Sequence, residues 1–245
     1  MLVAVAVLVA CGALVGADPE QPAPTAADGG VDGAVPTDDA EAPDGGCGHM
    51  LCADFEGASL YGFERASPAL PAQDGGWFVT STDARGGARA LGTFVYPGQV
   101  ATLEKQLDAG VRRVVVEAYV KLGPTWDAGA FGKANPLTIH CENGGDNALL
   151  KISDQSFLAS NGPDDAPIAR FLGGRWVHVR LAYDADKNEV RGTVTRPDGS
   201  DAGQGTIAPK SGCSGKVSVR VGDEPPSDSQ NTFELYVDDV TVDWQ

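Results

Sequence analysis

The sequence predicts an all-β domain, a two-sheet antiparallel sandwich or barrel, and three observations carry that expectation. From Cys47 onward apolar residues recur at every second position far more often than at helical spacing. Gly, Pro, Asp and Asn interrupt these runs about every ten residues, which is the rhythm of short strands joined by turns. No segment after Cys47 carries the extended apolar spacing of a helix, and only Val100 to Asp108 is ambiguous between the two periods.

The clearest strand runs from Val111 to Leu122. Val114, Val116, Ala118, Val120 and Leu122 line one face, while Arg113, Glu117, Tyr119 and Lys121 line the other, so one face meets a core and one meets water. Trp176 to Tyr183 repeats the pattern, with Val177, Val179, Leu181 and Tyr183 set against Trp176, His178 and Arg180. The segment Asp184-Ala185-Asp186-Lys187-Asn188 then reads as a hairpin turn into Glu189 to Thr195. Its start resembles a calcium loop, but Glu189 stands where the sharp turn needs Gly and Thr195 where a bidentate Glu belongs. Further strands are expected at Trp77 to Ser81, Ala90 to Tyr96, Leu137 to Cys141, Leu149 to Ile152, Lys216 to Val221 and Phe233 to Trp244. The last changes phase, from Phe233, Leu235 and Val237 to Val240, Val242 and Trp244, and a β-bulge at Asp238-Asp239 reconciles the two sets.

Three regions follow from composition. Residues 1–16 hold an apolar run, Leu2 to Val15, that is shorter than the roughly 20 residues of a membrane-spanning helix and reads as the apolar part of a signal peptide. Leu8-Val9-Ala10-Cys11-Gly12 resembles the lipobox of bacterial lipoproteins, which implies lipidation at Cys11 and export to the cell envelope, periplasmic or surface-exposed. A basic region before the apolar run is missing, and a start further upstream would supply it. Residues 17–46 are rich in Asp, Glu, Pro, Ala and Gly and have no aromatic residue, so they read as a disordered linker spanning about 30 Å. Residues 47–245 form the sandwich domain. Asp and Glu outnumber Lys and Arg 34 to 18, for a net charge of -16, so nucleic acid is not an expected partner and contact with membrane comes through the lipid anchor alone.

Beyond Cys11, the chain has Cys47, Cys52, Cys141 and Cys213, an even number in a chain addressed to an oxidising compartment. Three pairings are possible, and Cys47 with Cys52 and Cys141 with Cys213 are favoured: one closes a short loop, the other staples one strand end to the start of another. A zinc site at Cys47, His49 and Cys52 competes, but the spacing matches no standard pattern and no second ligand pair follows.

Cys52-Ala53-Asp54-Phe55-Glu56-Gly57, Gly86-Gly87-Ala88-Arg89-Ala90-Leu91, Arg175-Trp176-Val177-His178-Val179-Arg180-Leu181 and Tyr236-Val237-Asp238-Asp239-Val240-Thr241-Val242 span most of the domain. Together these motifs resemble the concanavalin A-like lectin and glucanase superfamily and its laminin G-like members. The resemblance implies a jelly roll of about this size. It also implies one structural calcium ion where the first and last strands meet, with Glu56, Gly87 and Asp238 at the matching positions. The paired carboxylate motif of the glycanases is absent, as are a Gly-x-Ser-x-Gly elbow and a Gly-rich loop opening a helix, so no catalytic residue is assigned. Thr138-Ile139-His140 is similar to one motif of alginate lyases, whose arginine-rich companion is missing.

Glu117, Tyr119, His140, Trp176, His178 and Arg180 all project from strands opposite the core set, and aromatic rings beside charged groups suit a glycan. The expected function is non-catalytic binding of a polysaccharide or another envelope component. The alternatives are a divergent polysaccharide hydrolase or lyase, and a structural or protein-binding envelope module.

Overall fold

Alternation of apolar and polar side chains forces the chain into strands that bury one face, and the computed structural model shows fifteen of them among the residues it describes: 47–56, 61–67, 76–95, 99–123, 133–142, 146–153, 156–170, 173–196, 198, 201–213, 215–224 and 233–245. Cys11, the signal-like segment and the linker at 17–46 lie outside them. No helix among the described residues is long and apolar enough to cross a membrane. In chain order the strands are β1 (Leu51–Ala53), β2 (Arg65–Ser67), β3 (Gly76–Thr80), β4 (Ala90–Val95), β5 (Ala101–Gln106), β6 (Arg113–Leu122), β7 (Lys133–Cys141) and β8 (Ala148–Ser153). They continue with β9 (Ser156–Ser160), β10 (Asp165–Arg170), β11 (Val177–Asp184), β12 (Glu189–Thr195), β13 (Asp201–Ile207), β14 (Val217–Asp223) and β15 (Phe233–Trp244).

All pairings are antiparallel. One sheet, called A, has the order β13-β12-β11-β6-β15-β4-β3, with β1 also paired to β15; the other, B, runs β10-β9-β8-β7-β14-β5-β2. The core between them is the set the alternation predicts. Val114, Val116, Ala118, Val120 and Leu122 of β6 are fully buried, as are Val179 and Leu181 of β11, and they pack with Leu137, Leu150, Ile152, Val219 and Val221 of sheet B. The ambiguous stretch after Val100 is strand β5, because Ala101 and Leu103 point into this core.

The hairpin of β11 and β12 closes where the turn residues place it, with Asp184 opposite Glu189. Asp184 accepts the peptide N–H groups of Asp186 and Lys187, both at 3.0 Å, so its carboxylate organises the turn. The bulge in β15 is also present. The register against β6 shifts between Asp238 and Thr241, and Asp239 adopts φ of 49°.

Five strands escape the sequence pattern for identifiable reasons. Pro167 cannot donate to a ladder, so it disguises β10, which tolerates it as the edge of sheet B with a register shift between Pro167 and Ala169. Gly203 and Gly205 disguise β13, the edge of sheet A. A Cβ on Gly203 would lie 1.9 Å from the carbonyl oxygen of Ile168, so glycine is what lets these two edges meet and close one side of the sandwich. The strands β1 and β2 are three residues each, and β9 is five.

The cysteines pair as Cys47 with Cys52 and Cys141 with Cys213, which leaves His49 to bond Asp243 at 2.8 Å. The second bridge ties residues 72 apart, and loop-closure entropy assigns it about 4 kcal/mol against about 2 kcal/mol for the first, whose partners are 5 apart. Replacing Cys141 and Cys213 together by Ser is therefore expected to cost about twice what the Cys47 and Cys52 double replacement costs in urea unfolding. A reversed order would contradict this account.

Candidate functional site

Three polar clusters stand on this frame, and the hydrogen bonds within each separate them. The first lies on the outer face of sheet A. Register places Tyr119 opposite His178 and Glu117 opposite Arg180 across β6 and β11. Glu117 is held by both neighbours, at 3.2 Å from His178 Nε2 and 3.1 Å from Arg180 Nε. The hydrogen bond from His178, then the charges of His178 and Arg180, hold the Glu117 carboxyl below its ordinary range despite partial burial. The ring of Tyr119 tilts against His178 with centroids 4.9 Å apart, and the Arg85 guanidinium sits 3.2 Å from the Tyr119 centroid. Trp176 immediately precedes β11 and is half-buried. Sheet A thus unites Glu117, Tyr119, His178 and Arg180, whereas His140 stands on β7 in the other sheet.

The second cluster is the junction at the β15 bulge. Asp238 is buried, and its carboxylate accepts the peptide N–H groups of Arg85 and Asp239, both at 2.9 Å. Burial pushes its pKa up to about 6, and the nearby charges of Asp239 and Glu56 add to that rise. Glu56 Oε1 accepts the N–H groups of Ala88 at 2.7 Å and Arg89 at 2.9 Å. Gly87 makes that possible, since a Cβ there would fall 1.9 Å from Glu56 Oε1. Glu56, Gly87 and Asp238 therefore belong to one neighbourhood. Carboxylates are a hard cation's donor type, and here both Asp238 oxygens and Glu56 Oε1 accept peptide N–H groups. Among the described residues, no group of three or more Asp, Glu, His or Cys side chains is placed to hold a metal.

The third cluster, on the outer face of sheet B, is the one the sequence did not reveal as a unit. Leu137 and Ile139 of β7 and Val217, Val219 and Val221 of β14 point into the core. Thr138, His140, Ser218 and Arg220 alternate with them and face outward. Register aligns Gln106, Ser218 and His140 in one row and Glu104, Arg220 and Thr138 in the next. Arg220 is clasped by Glu104, Nε to Oε2 at 3.4 Å, and by Glu224, Nη1 to Oε1 at 2.9 Å.

What sets β7 and β14 apart is unmet hydrogen-bonding capacity. Enclosed polar atoms normally find partners, because leaving one bare costs about 1–3 kcal/mol. Thr138 Oγ1, His140 Nδ1, Ser218 Oγ, Glu224 Oε2, Asn135 Oδ1 and Asp223 Oδ2 are enclosed without one. They make up six of the eight such atoms among the described residues, so this state is concentrated on β7, β14 and the residue after β14. On sheet A, by contrast, Glu117 uses both carboxylate oxygens within its own network. Thr138 and Ser218 are themselves buried, at 1% and 0% exposure, so of this strip His140 and Arg220 are the side chains that reach the surface.

The sandwich has counterparts among solved structures. A cellulose-induced protein superposes with a TM-score of 0.57 at 16% identity, over 78% of this chain and 96% of that one. The fold is a jelly roll. An endo-β-1,4-glucuronan lyase from the fungus Trichoderma reesei superposes with a TM-score of 0.55 at 17% identity, over 80% of this chain and 96% of its own. At these identities the likeness concerns architecture. No family model matches the sequence, and no curated protein matches it.

Asp223 provides a test of burial at the end of the strip. It is fully buried, and desolvation pushes its pKa well above the ordinary carboxylate range, aided by the charge of Glu224 and opposed by the N–H of Asn135. The folded state therefore holds the proton more tightly than the unfolded chain, and stability falls as pH rises from about 4 toward the folded value. Asp223→Asn removes that fall. The variant is expected to match the parent below about pH 4 and to exceed it at neutral pH by about 1–3 kcal/mol, read from urea midpoints across pH. A variant less stable than the parent at neutral pH would contradict the assignment.

Proposed function

We propose that the jelly roll binds a polysaccharide on the β7–β14 strip without cleaving it, and that a lipidated Cys11 and the 17–46 linker hold the domain outside the cytoplasm in a bacterial envelope. The concentration of unpartnered polar atoms around Thr138, His140 and Ser218 carries the binding reading. Sugar hydroxyls are both donors and acceptors, so they complement the partly exposed His140 imidazole and the Arg220 guanidinium with its two carboxylate neighbours. The lipobox-like Leu8-Val9-Ala10-Cys11 supports the location.

Lyase chemistry is the second reading, favoured by the unpartnered Nδ1 of His140 and by the fold shared with a glucuronan lyase. Elimination from a uronic acid needs a cation or amide to neutralise the sugar carboxylate, with a base and an acid beside it. Arg220 already faces two carboxylates. Tyr119 and Tyr236 belong to strands of sheet A, while Tyr183 lines a small buried pocket with His140 and accepts the Cys213 N–H through its hydroxyl. Release or absence of unsaturated product separates the two readings.

The full chain should bind one or more polymers from a panel of cello-oligosaccharides, xylan, glucuronan and alginate saturably, with no unsaturated product. Arg220→Ala or His140→Ala should weaken binding about tenfold or more. Release of unsaturated uronic ends would replace this reading with the lyase. Silence across the panel from folded protein would leave a protein-binding role.

Calcium belongs to the same proposal, as a structural ion at Glu56, Asp238 and the Gly87 carbonyl that ties β1 to β15. Adding calcium to chelator-treated protein should raise the melting temperature, and Glu56→Gln should abolish the rise. An unchanged melting temperature removes the ion from the account.

A further inference from the structure

The outer face of sheet A holds a pocket separate from the β7–β14 strip, and three arginines and a lysine line it. Val115 of β6 lies opposite Ala182 of β11, which lies opposite Arg191 of β12. These two short apolar side chains form a floor. The rows on either side carry long ones: Arg180 on one, and Arg113, Asp184 and Glu189 on the other. The result is a cavity of about 210 Å³ with Arg113, Arg180, Lys187 and Arg191 in its lining, against Asp184 and Glu189. Glu117 and Asp186, just outside the lining, also pair with Arg180 and Arg113, so the four cations face four carboxylates and what distinguishes the pocket is its number of N–H donors.

The ion pairs around the cavity do not exhaust its donors. Asp184 Oδ2 serves both Arg113 Nε at 3.3 Å and Lys187 Nζ at 3.5 Å, and Arg113 Nη2 also lies 3.7 Å from Asp186 Oδ2. Arg180 uses Nε on Glu117, and Arg191 uses Nη2 on Glu189 at 2.8 Å. Arg191 Nε is enclosed and has no acceptor. A guanidinium carries five N–H donors in a fixed fork that matches the oxygens of carboxylate or sulfate. Three such forks around a small apolar floor supply more donors than the local carboxylates accept.

We infer that this pocket binds an oxyanion, a carboxylate or sulfate, that accepts from Arg113, Arg180 and Arg191 while its carrier rests on Val115 and Ala182. The anion comes either from an acidic sugar or from free inorganic salt. The inference stands apart from the polysaccharide reading, because it uses a different sheet and different residues.

Titrating the full chain with sodium sulfate, sodium glucuronate and glucose at constant ionic strength, followed by amide chemical shifts, tests it. Constant ionic strength removes general screening. Saturable shifts around Val115, Ala182 and Arg191 are expected with an anion and absent with glucose. Arg191→Gln should weaken binding about tenfold or more, and Arg113→Gln gives an independent check should the first variant misfold. Tighter binding of glucuronate than of sulfate assigns an acidic sugar, and the reverse order assigns an inorganic anion. Shifts that fail to saturate with either anion, an equal response to glucose, or undiminished binding in the folded variants would overturn the inference. Loss of polysaccharide binding in Arg220→Ala with the anion response intact would show the two sites to be independent.

Discussion

The architecture turns on the bulge in β15. This strand lies between β6 on one side and, on the other, first β4 and then β1: Phe233 to Val237 pair with β4, and Val240 to Val242 pair with β1. The exchange of partners happens at Asp238-Asp239, where the extra residue also returns Val240 and Val242 to the core face after Leu235 and Val237. A buried carboxylate there needs donors. The N–H of Arg85, from the segment leading into β4, and the N–H of Asp239 supply them, while Glu56 after β1 receives Ala88 and Arg89. Glu56 and Gly87 therefore join the first strand to the segment before β4, and Asp238 joins that segment to the last strand. The apolar run of β6, and with it the outward row of Glu117 and Tyr119, depends on β15 keeping this register.

Satisfaction of polar groups then distinguishes the two outer faces. On sheet A, Glu117 is saturated by His178 and Arg180, and Tyr119 is covered by His178 and Arg85. That network explains these residues as a self-contained surface, with a donor surplus only further along, beside Arg191. On sheet B, the outward positions of β7 and β14 are closely surrounded, yet Thr138 and Ser218 hydroxyls lack acceptors and donors alike. Such groups carry a desolvation cost, and together with the partly exposed His140 and Arg220 beside them they support the proposal that a polysaccharide meets that face.

Much of this was legible in the sequence because burial on one face writes itself as period two. The core faces of β6 and β11, the hairpin at Asp184 to Glu189 and the phase change in β15 could be read directly, and the two disulfides are the favoured one of three possible pairings. Pro167 hid β10 and the glycines of β13 hid the second edge, because at both edges backbone approach outweighs side-chain pattern. Outwardness was readable for Glu117, Tyr119, His140, His178 and Arg180, whereas Trp176 stands just before β11, and neighbourhood was not readable. Strand order interleaves the chain, so Glu117 and Arg180 meet across one sheet while His140 meets Ser218 across the other. Arg220 showed as a polar residue within a valine strand, and only pairing revealed that Glu104 and Glu224 clasp it.

The central claim is that the β7–β14 strip is the working face, and residue-resolved amide shifts during titration with a bound oligosaccharide test it most directly. The account predicts the largest changes at Thr138, His140, Ser218 and Arg220, with the Glu117, Tyr119 and His178 amides nearly still. Changes confined to the sheet A face, with the strip unmoved, would contradict it.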